Sequence, residues 1–154
     1  MKTLLNAGCG QSTISQLKGF DNNYWKEIRL DIDHNVKPDI LSSLTDMSQV
    51  KSNSIDAIYS AYSLDHIFAH EIPIVLKEFH RVLNEDGIAI VRCPDIQTIC
   101  DLIAKDRLLE QLYESPMGPI LPMDILFGNR KEIADGNEFM AKNVGFTYSV
   151  LEQT

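Results

Sequence analysis

Residues 54 to 93 constrain the fold more than any other stretch of this chain of 154 residues. From Glu71 to Leu83 the apolar residues Ile72, Val75, Leu76, Phe79, Val82 and Leu83 recur at helical spacing, with Pro73 where a first helical turn tolerates it. SIDAIYSAY (54–62) precedes this run and IAIVRC (88–93) follows it, and both read as buried strands. NEDG between helix and strand reads as the stop, with Gly87 as a left-handed cap. A helix between two strands carries the chain back to the end it left, so the two strands are expected to lie parallel.

The same alternation runs through most of the chain. TLLNAG (3–8) and EIRLDI (27–32) read as further strands, Pro38–Leu41 as a weaker extended piece, and SSLTDMSQV as room for a short helix. Asp95 is a cap for a helix with Ile96, Ile99, Ile103, Leu109 and Leu112 on its apolar face. Residues 115–145, rich in proline and glycine, read as an irregular excursion with a short helix at Met123–Phe127, and Thr147 caps a last one. The expectation is an α/β fold, a mainly parallel sheet with helices on both faces, in a single domain over 1–154.

With 44% apolar and 23% charged residues, the chain suits one globular core. A net charge of −8, with no basic cluster, argues against nucleic acid as the main partner. Cys9, Cys93 and Cys100 form no CxxC pair, which suggests neither a disulfide framework nor a zinc site. There is no long apolar span, and the N-terminal apolar stretch is too short for a secretory signal, so a cytoplasmic location is expected.

In open parallel sheets ligands bind beyond the carboxyl ends of the strands. The first strand ends in Gly8-Cys9-Gly10, where missing side chains let backbone amides approach a ligand. The second ends in Asp31-Ile32-Asp33, where an acid can accept hydrogen bonds from ribose hydroxyls, about 21 residues beyond Gly10. The third ends in Ala61-Tyr62-Ser63 and the fourth leads to Pro94-Asp95. Each signal alone also fits a plain turn or cap, while together they suit a nucleoside cofactor. A dinucleotide usually asks for a third glycine, and Ser12 and Thr13 follow here instead.

NAGCG, RLDID, SIDAIYSAYSLDHI and KEFHRVLNEDGIAIVRCPD together resemble the class I S-adenosylmethionine-dependent methyltransferases, in particular a bacterial group that begins almost at the glycine motif. DILFGNRKEIADGNEFMAKNVGFT is similar to a segment of the same group. The resemblance implies a Rossmann-like fold, S-adenosyl-L-methionine as cofactor and S-adenosyl-L-homocysteine as product. It also implies that Asn6, Ala7, Gly8, Cys9 and Gly10 meet the methionine and ribose end, and that Asp31 and Ile32 meet the ribose, with Asp33 as a second candidate. Ser43 and Leu44 would face adenine, and Ala61 and Tyr62 the methyl-donor end. The sequence departs from the family pattern at Asn6, where the family has an acid, and at Ser12, Ser43 and Asp65. The complete family fold adds a final strand pair that this sequence does not hold. The exposed sheet edge is therefore expected to be covered by the 115–145 excursion or by a second copy in a homodimer.

His66 is the candidate general base for an acceptor that must lose a proton, weighed against an ordinary backbone-bonding role. His34 reads as loop surface, His80 within its helix as structural or solvent-facing, and Cys9 as a small buried residue rather than a nucleophile. Asp65, His66, His70 and Glu71 read as capping and solvation, so no metal site is expected. Two functions follow: methyl transfer to an acceptor the sequence does not specify, or a non-catalytic module of the same fold that senses the cofactor or binds a protein.

Overall fold

A computed structural model describes residues 1–115 and 118–154. The chain divides into two compact units, Met1–Leu64 with His70–Arg92, and Asp65–Ala69 with Cys93–Thr154. The expected 115–145 excursion is described except at positions 116 and 117, which lie outside the described residues.

The first unit is a five-stranded parallel sheet of β1 (Lys2–Ala7), β2 (Trp25–Asp31), β3 (Ile40–Leu41), β4 (Ile55–Ala61) and β5 (Leu83–Arg92), with α1 (Ile72–Val82) between the last two. The order β3-β2-β1-β4-β5 reverses direction at β1, so the carboxyl ends of β1 and β4 flank the crevice where open sheets bind ligands. β1 is the most enclosed strand: Leu4, Leu5 and Ala7 are fully buried, as are Leu30, Ala57 and Ile58 on its neighbours. On one face Leu4, Ile14, Leu17 and Ala57 cluster, with Phe20, Trp25 and Tyr59 packed against them. Phe20 meets Trp25 edge to face at 5.0 Å. α1 forms as its spacing predicts, with Pro73 in the first turn and Ile72, Val75, Phe79 and Val82 buried. Each such side chain contributes roughly 1.5–3 kcal/mol relative to leaving it in water.

Three local expectations need correction. First, Gly87 is not left-handed and does not cap α1: the chain leaves the helix at Leu83 already extended and enters β5 at once. The β4–β5 pairing jumps from Ile55↔Leu83 to Ala57↔Ile88, so Asn84–Gly87 bulge out of register. Glycine is needed there for room, since a Cβ would lie 2.9 Å from the Asn84 carbonyl oxygen. Second, residues 42–50 form turns, because their short polar side chains bind the local backbone: Ser42 Oγ donates to the Asp46 carbonyl and Asp46 Oδ1 accepts from Ser48 N–H. Third, the links after β1 and β2 carry 3-10 turns, Ile14–Gln16 and His34–Val36, so α1 is the one full α-helix of this unit among the described residues.

In the second unit, α2 (Ile96–Ala104) starts at Asp95, whose side chain accepts from Gln97 N–H. It ends before Leu109 and Leu112, which the sequence placed on its face; Leu109 is exposed. The excursion contains a short hairpin of β6 (Tyr113–Ser115) and β7 (Gly118–Ile120), then α3 (Pro122–Phe127) and α4 (Arg130–Ala134). Thr147 caps α5 (Tyr148–Gln153) as expected.

Candidate functional site

The residues singled out at the strand ends of the first unit converge. Gly8 and Gly10 are both left-handed, with φ of +70° and +50°, so the chain turns over the end of β1 at little steric cost. Gly8 lies against the turn after β4: a Cβ on it would fall 2.2 Å from Ser63 Oγ. The Ser63 hydroxyl in turn lies 3.1, 3.2 and 3.4 Å from the carbonyls of Ala61, Gly8 and Ala7. A Cβ on Gly10 would meet nothing within 4 Å, so that backbone stands open to an approaching ligand.

Asp31, at the end of β2, accepts from Gly10 N–H at 2.8 Å on one oxygen and from Asp33 N–H at 2.9 Å on the other. Its main-chain carbonyl accepts from Ser42 N–H, which places Ser43 one residue from the same strand end. The Ser43 hydroxyl bonds Thr45 Oγ1, Leu44 is buried in the core, and Ile32 is exposed. Asp33 caps the next 3-10 turn through Asn35 N–H.

Asn6 is buried, and its amide donates to Glu27 Oε1 at 2.9 Å and to the Ser12 carbonyl at 3.4 Å. That side chain braces the loop from beneath. Burial pushes the Cys9 thiol up to about 11, so it stays protonated near neutral pH and is a packing residue, not a nucleophile.

Tyr62 has φ of +57°, a left-handed conformation that costs a bulky residue about 1–3 kcal/mol. Its N–H donates to the Arg92 carbonyl, and the Arg92 guanidinium lies over its ring at 5.5 Å. Arg92 also donates to the hydroxyls of Tyr59 and Tyr62, at 3.1 and 3.3 Å.

His66 belongs to the second unit. Its Nδ1 lies 2.9 Å from the Ala141 carbonyl oxygen, which can only accept, so Nδ1 carries a proton and neutral imidazole keeps its lone pair on Nε2. Next to it, Asp65 pairs with Lys142 in a buried ion pair, and Asp65 Oδ1 has no hydrogen-bond partner among the described residues. Among those residues no group of three His, Cys, Asp or Glu is placed to hold a metal ion.

Comparison with known proteins gives this arrangement a family. The family described as a methyltransferase domain matches residues 5–91, more than half of the chain. The chain belongs to this methyltransferase domain family. Its fold is similar to that of the PH0226 protein from Pyrococcus horikoshii OT3, at 18% identity and a TM-score of 0.54, over 67% of this chain and 54% of that one. It is also similar to a Methanococcus maripaludis structure assigned as an S-adenosyl-L-methionine-dependent methyltransferase, at 15% identity and a TM-score of 0.50, over 68% and 56%. The chain thus spans about half the length of the solved structures it matches. No curated protein matches it.

S-adenosyl-L-methionine is the cofactor of the family, and the first unit fits it. The Asp31 oxygens, each with one main-chain donor, keep lone pairs for ribose hydroxyls, and the open backbone at Gly10 leaves space beside them. The sequence reading gave no role to Glu27 or Arg29, nor to Ser63 beyond its place at a strand end. The first two were visible as polar residues at every second position of EIRLD, a period that puts them on one face with Asp31.

Proposed function

We propose that the chain binds S-adenosyl-L-methionine through its first unit and transfers the activated methyl group to an acceptor by in-line displacement. The observation that supports this most is the meeting of the Gly8–Gly10 turn, the Asp31 carboxylate and the Ala61–Ser63 turn at the carboxyl ends of adjacent parallel strands.

When bound, the cofactor supplies a sulfonium-activated methyl group, so the protein's task is chiefly to bind and orient. Asp31 holds the ribose hydroxyls with Ile32 beside it. Gly8, Cys9 and Gly10 line the methionine end at close approach, their N–H groups being held by the Leu30 carbonyl and Asp31. Ala7 and Asn6 support them from β1, Ser43 and Leu44 bound the adenine side, and Ala61 and Tyr62 border the reacting end. His66 serves as base, through Nε2, for an acceptor that must lose a proton. The reading takes residues 1–154 as one functional domain, cytoplasmic. It also takes the outer margin of β5, which pairs with a strand on one side only among the described residues, as a homodimer contact. No helix among the described residues is long and apolar enough to cross a membrane.

Isothermal titration with S-adenosylhomocysteine tests the cofactor reading. Wild type is expected to bind in the micromolar range, and Asp31→Ala to lose roughly tenfold or more in affinity. No heat from folded wild-type protein at high micromolar ligand overturns the reading, while equal affinity of the variant moves the ribose contact away from Asp31.

A further inference from the structure

β2 presents Glu27, Arg29 and Asp31 at alternate positions, hence on one face of the strand, and all three side chains end on the glycine loop or its immediate supports. Glu27 takes Asn6 Nδ2 on one oxygen and Ile14 N–H on the other, at 2.9 and 3.0 Å. Arg29 reaches furthest. Its Nη2 donates to the carbonyls of Gly10 at 2.6 Å and Val36 at 3.2 Å, its Nε to Ser12 at 3.2 Å, and its Nη1 to Lys37 at 3.1 Å.

One planar guanidinium therefore joins two loops: the glycine loop after β1 and the loop after β2 that begins at Asp31. Arg29 and Asp31 also divide the main chain of Gly10 between them. Asp31 holds the Gly10 N–H and Arg29 holds its carbonyl, so the peptides on both sides of Gly10 are fixed. A glycine turn left to itself samples many backbone states, and ordering it on binding would weaken the complex. A rigid fork with several donors removes that freedom beforehand, where the single ammonium of lysine could not satisfy four separated carbonyls.

We propose that Arg29, backed by Glu27, is a positioning residue of the cofactor site, holding the two loops in their binding conformation before the ligand arrives. This rests on the cofactor reading above. Arg29 acts through Gly10 and Ser12 on one loop and Val36 and Lys37 on the other.

The test combines S-adenosylhomocysteine titration of wild type, Arg29→Ala and Arg29→Lys with amide hydrogen exchange of the ligand-free proteins. Arg29→Ala is expected to bind at least about tenfold more weakly and Arg29→Lys to fall between it and wild type. In both variants residues 10–14 should exchange faster, while β1 and β4 keep wild-type protection. Affinity within twofold of wild type together with unchanged exchange at 10–14 overturns the proposal, as does faster exchange spread evenly over the sheet, which marks a general structural role. Should Arg29→Ala fail to fold, Arg29→Lys decides by the same criteria. Should wild type itself not bind, the cofactor reading fails, and the exchange comparison still decides whether Arg29 holds the loops.

Discussion

The glycine loop of the first unit and the 141–144 segment of the second are both irregular backbone held by side chains, and they are held by opposite means. Around the loop each charge ends on uncharged groups: Glu27 on Asn6 and the Ile14 N–H, Arg29 on carbonyls, Asp31 on main-chain N–H groups. These side chains are half-buried, so water can replace a lost partner. Segment 141–144 is tied by main-chain bonds to Asp65 and by one ion pair, Lys142 to Asp65, whose side chains are 10% and 3% exposed. A charge buried there has no such substitute. The first arrangement tolerates adjustment, and the second fails as a unit.

Removing one partner of the ion pair separates the two arrangements most sharply. Lys142→Met should lower stability in urea unfolding by about 3–5 kcal/mol, because Asp65 is left charged and buried, and Asp65→Asn added to it should recover much of the loss. A cost under about 1 kcal/mol for the single variant would place the two regions in one class. Within the loop, Gly8→Ala should cost about 2–3 kcal/mol, combining a left-handed φ with a clash on Ser63. Gly10→Ala has the first penalty without the second, about 1 kcal/mol, and equal losses would mean that contact with Ser63 does not distinguish the two glycines.

Glu78 gives the smallest expected effect and an intermediate case. A hydrogen bond from Arg81 first, then one from the Met47 N–H, holds its carboxyl below the usual range against a partial burial that raises it. A depressed carboxyl contributes stability above its unfolded pKa and loses it as pH falls through the folded value. Wild type should exceed Glu78→Gln by about 1 kcal/mol at pH 6, with the gap closing as the pH falls below about 4.5. A gap that stays constant across that window would remove ionisation as its source.

Much of the first unit was legible because it is coded locally. Alternating strands and a helix with apolar spacing leave few topologies, and glycines or acids at strand ends mark the side where ligands bind. What escaped depends on partners distant in sequence or on a close choice between local conformations. Gly87 looks like a helix cap in any window of ten residues. Its true constraint is the Asn84 carbonyl, set once β5 pairs with β4. Residues 42–50 have the length of a helix, yet their serines and Asp46 bind nearby backbone while Glu78 and Arg81 hold Met47 and Val50 from α1. The pair Asp65 and Lys142 spans 77 positions, and no pattern in one sequence joins residues that far apart. The place of Asp31 at a strand end, which made it a candidate for the site, was readable. The role of Arg29 was not, since its four acceptors are main-chain carbonyls, which every residue type carries.

Tyr62 carries a consequence for how such a sequence can change. An aromatic residue held left-handed carries a backbone strain that glycine in the same conformation would not. Glycine at 62 would relieve that strain and also remove the ring that lies under Arg92. The backbone at position 62 thus favours glycine, while the contacts with Arg92 favour the aromatic ring.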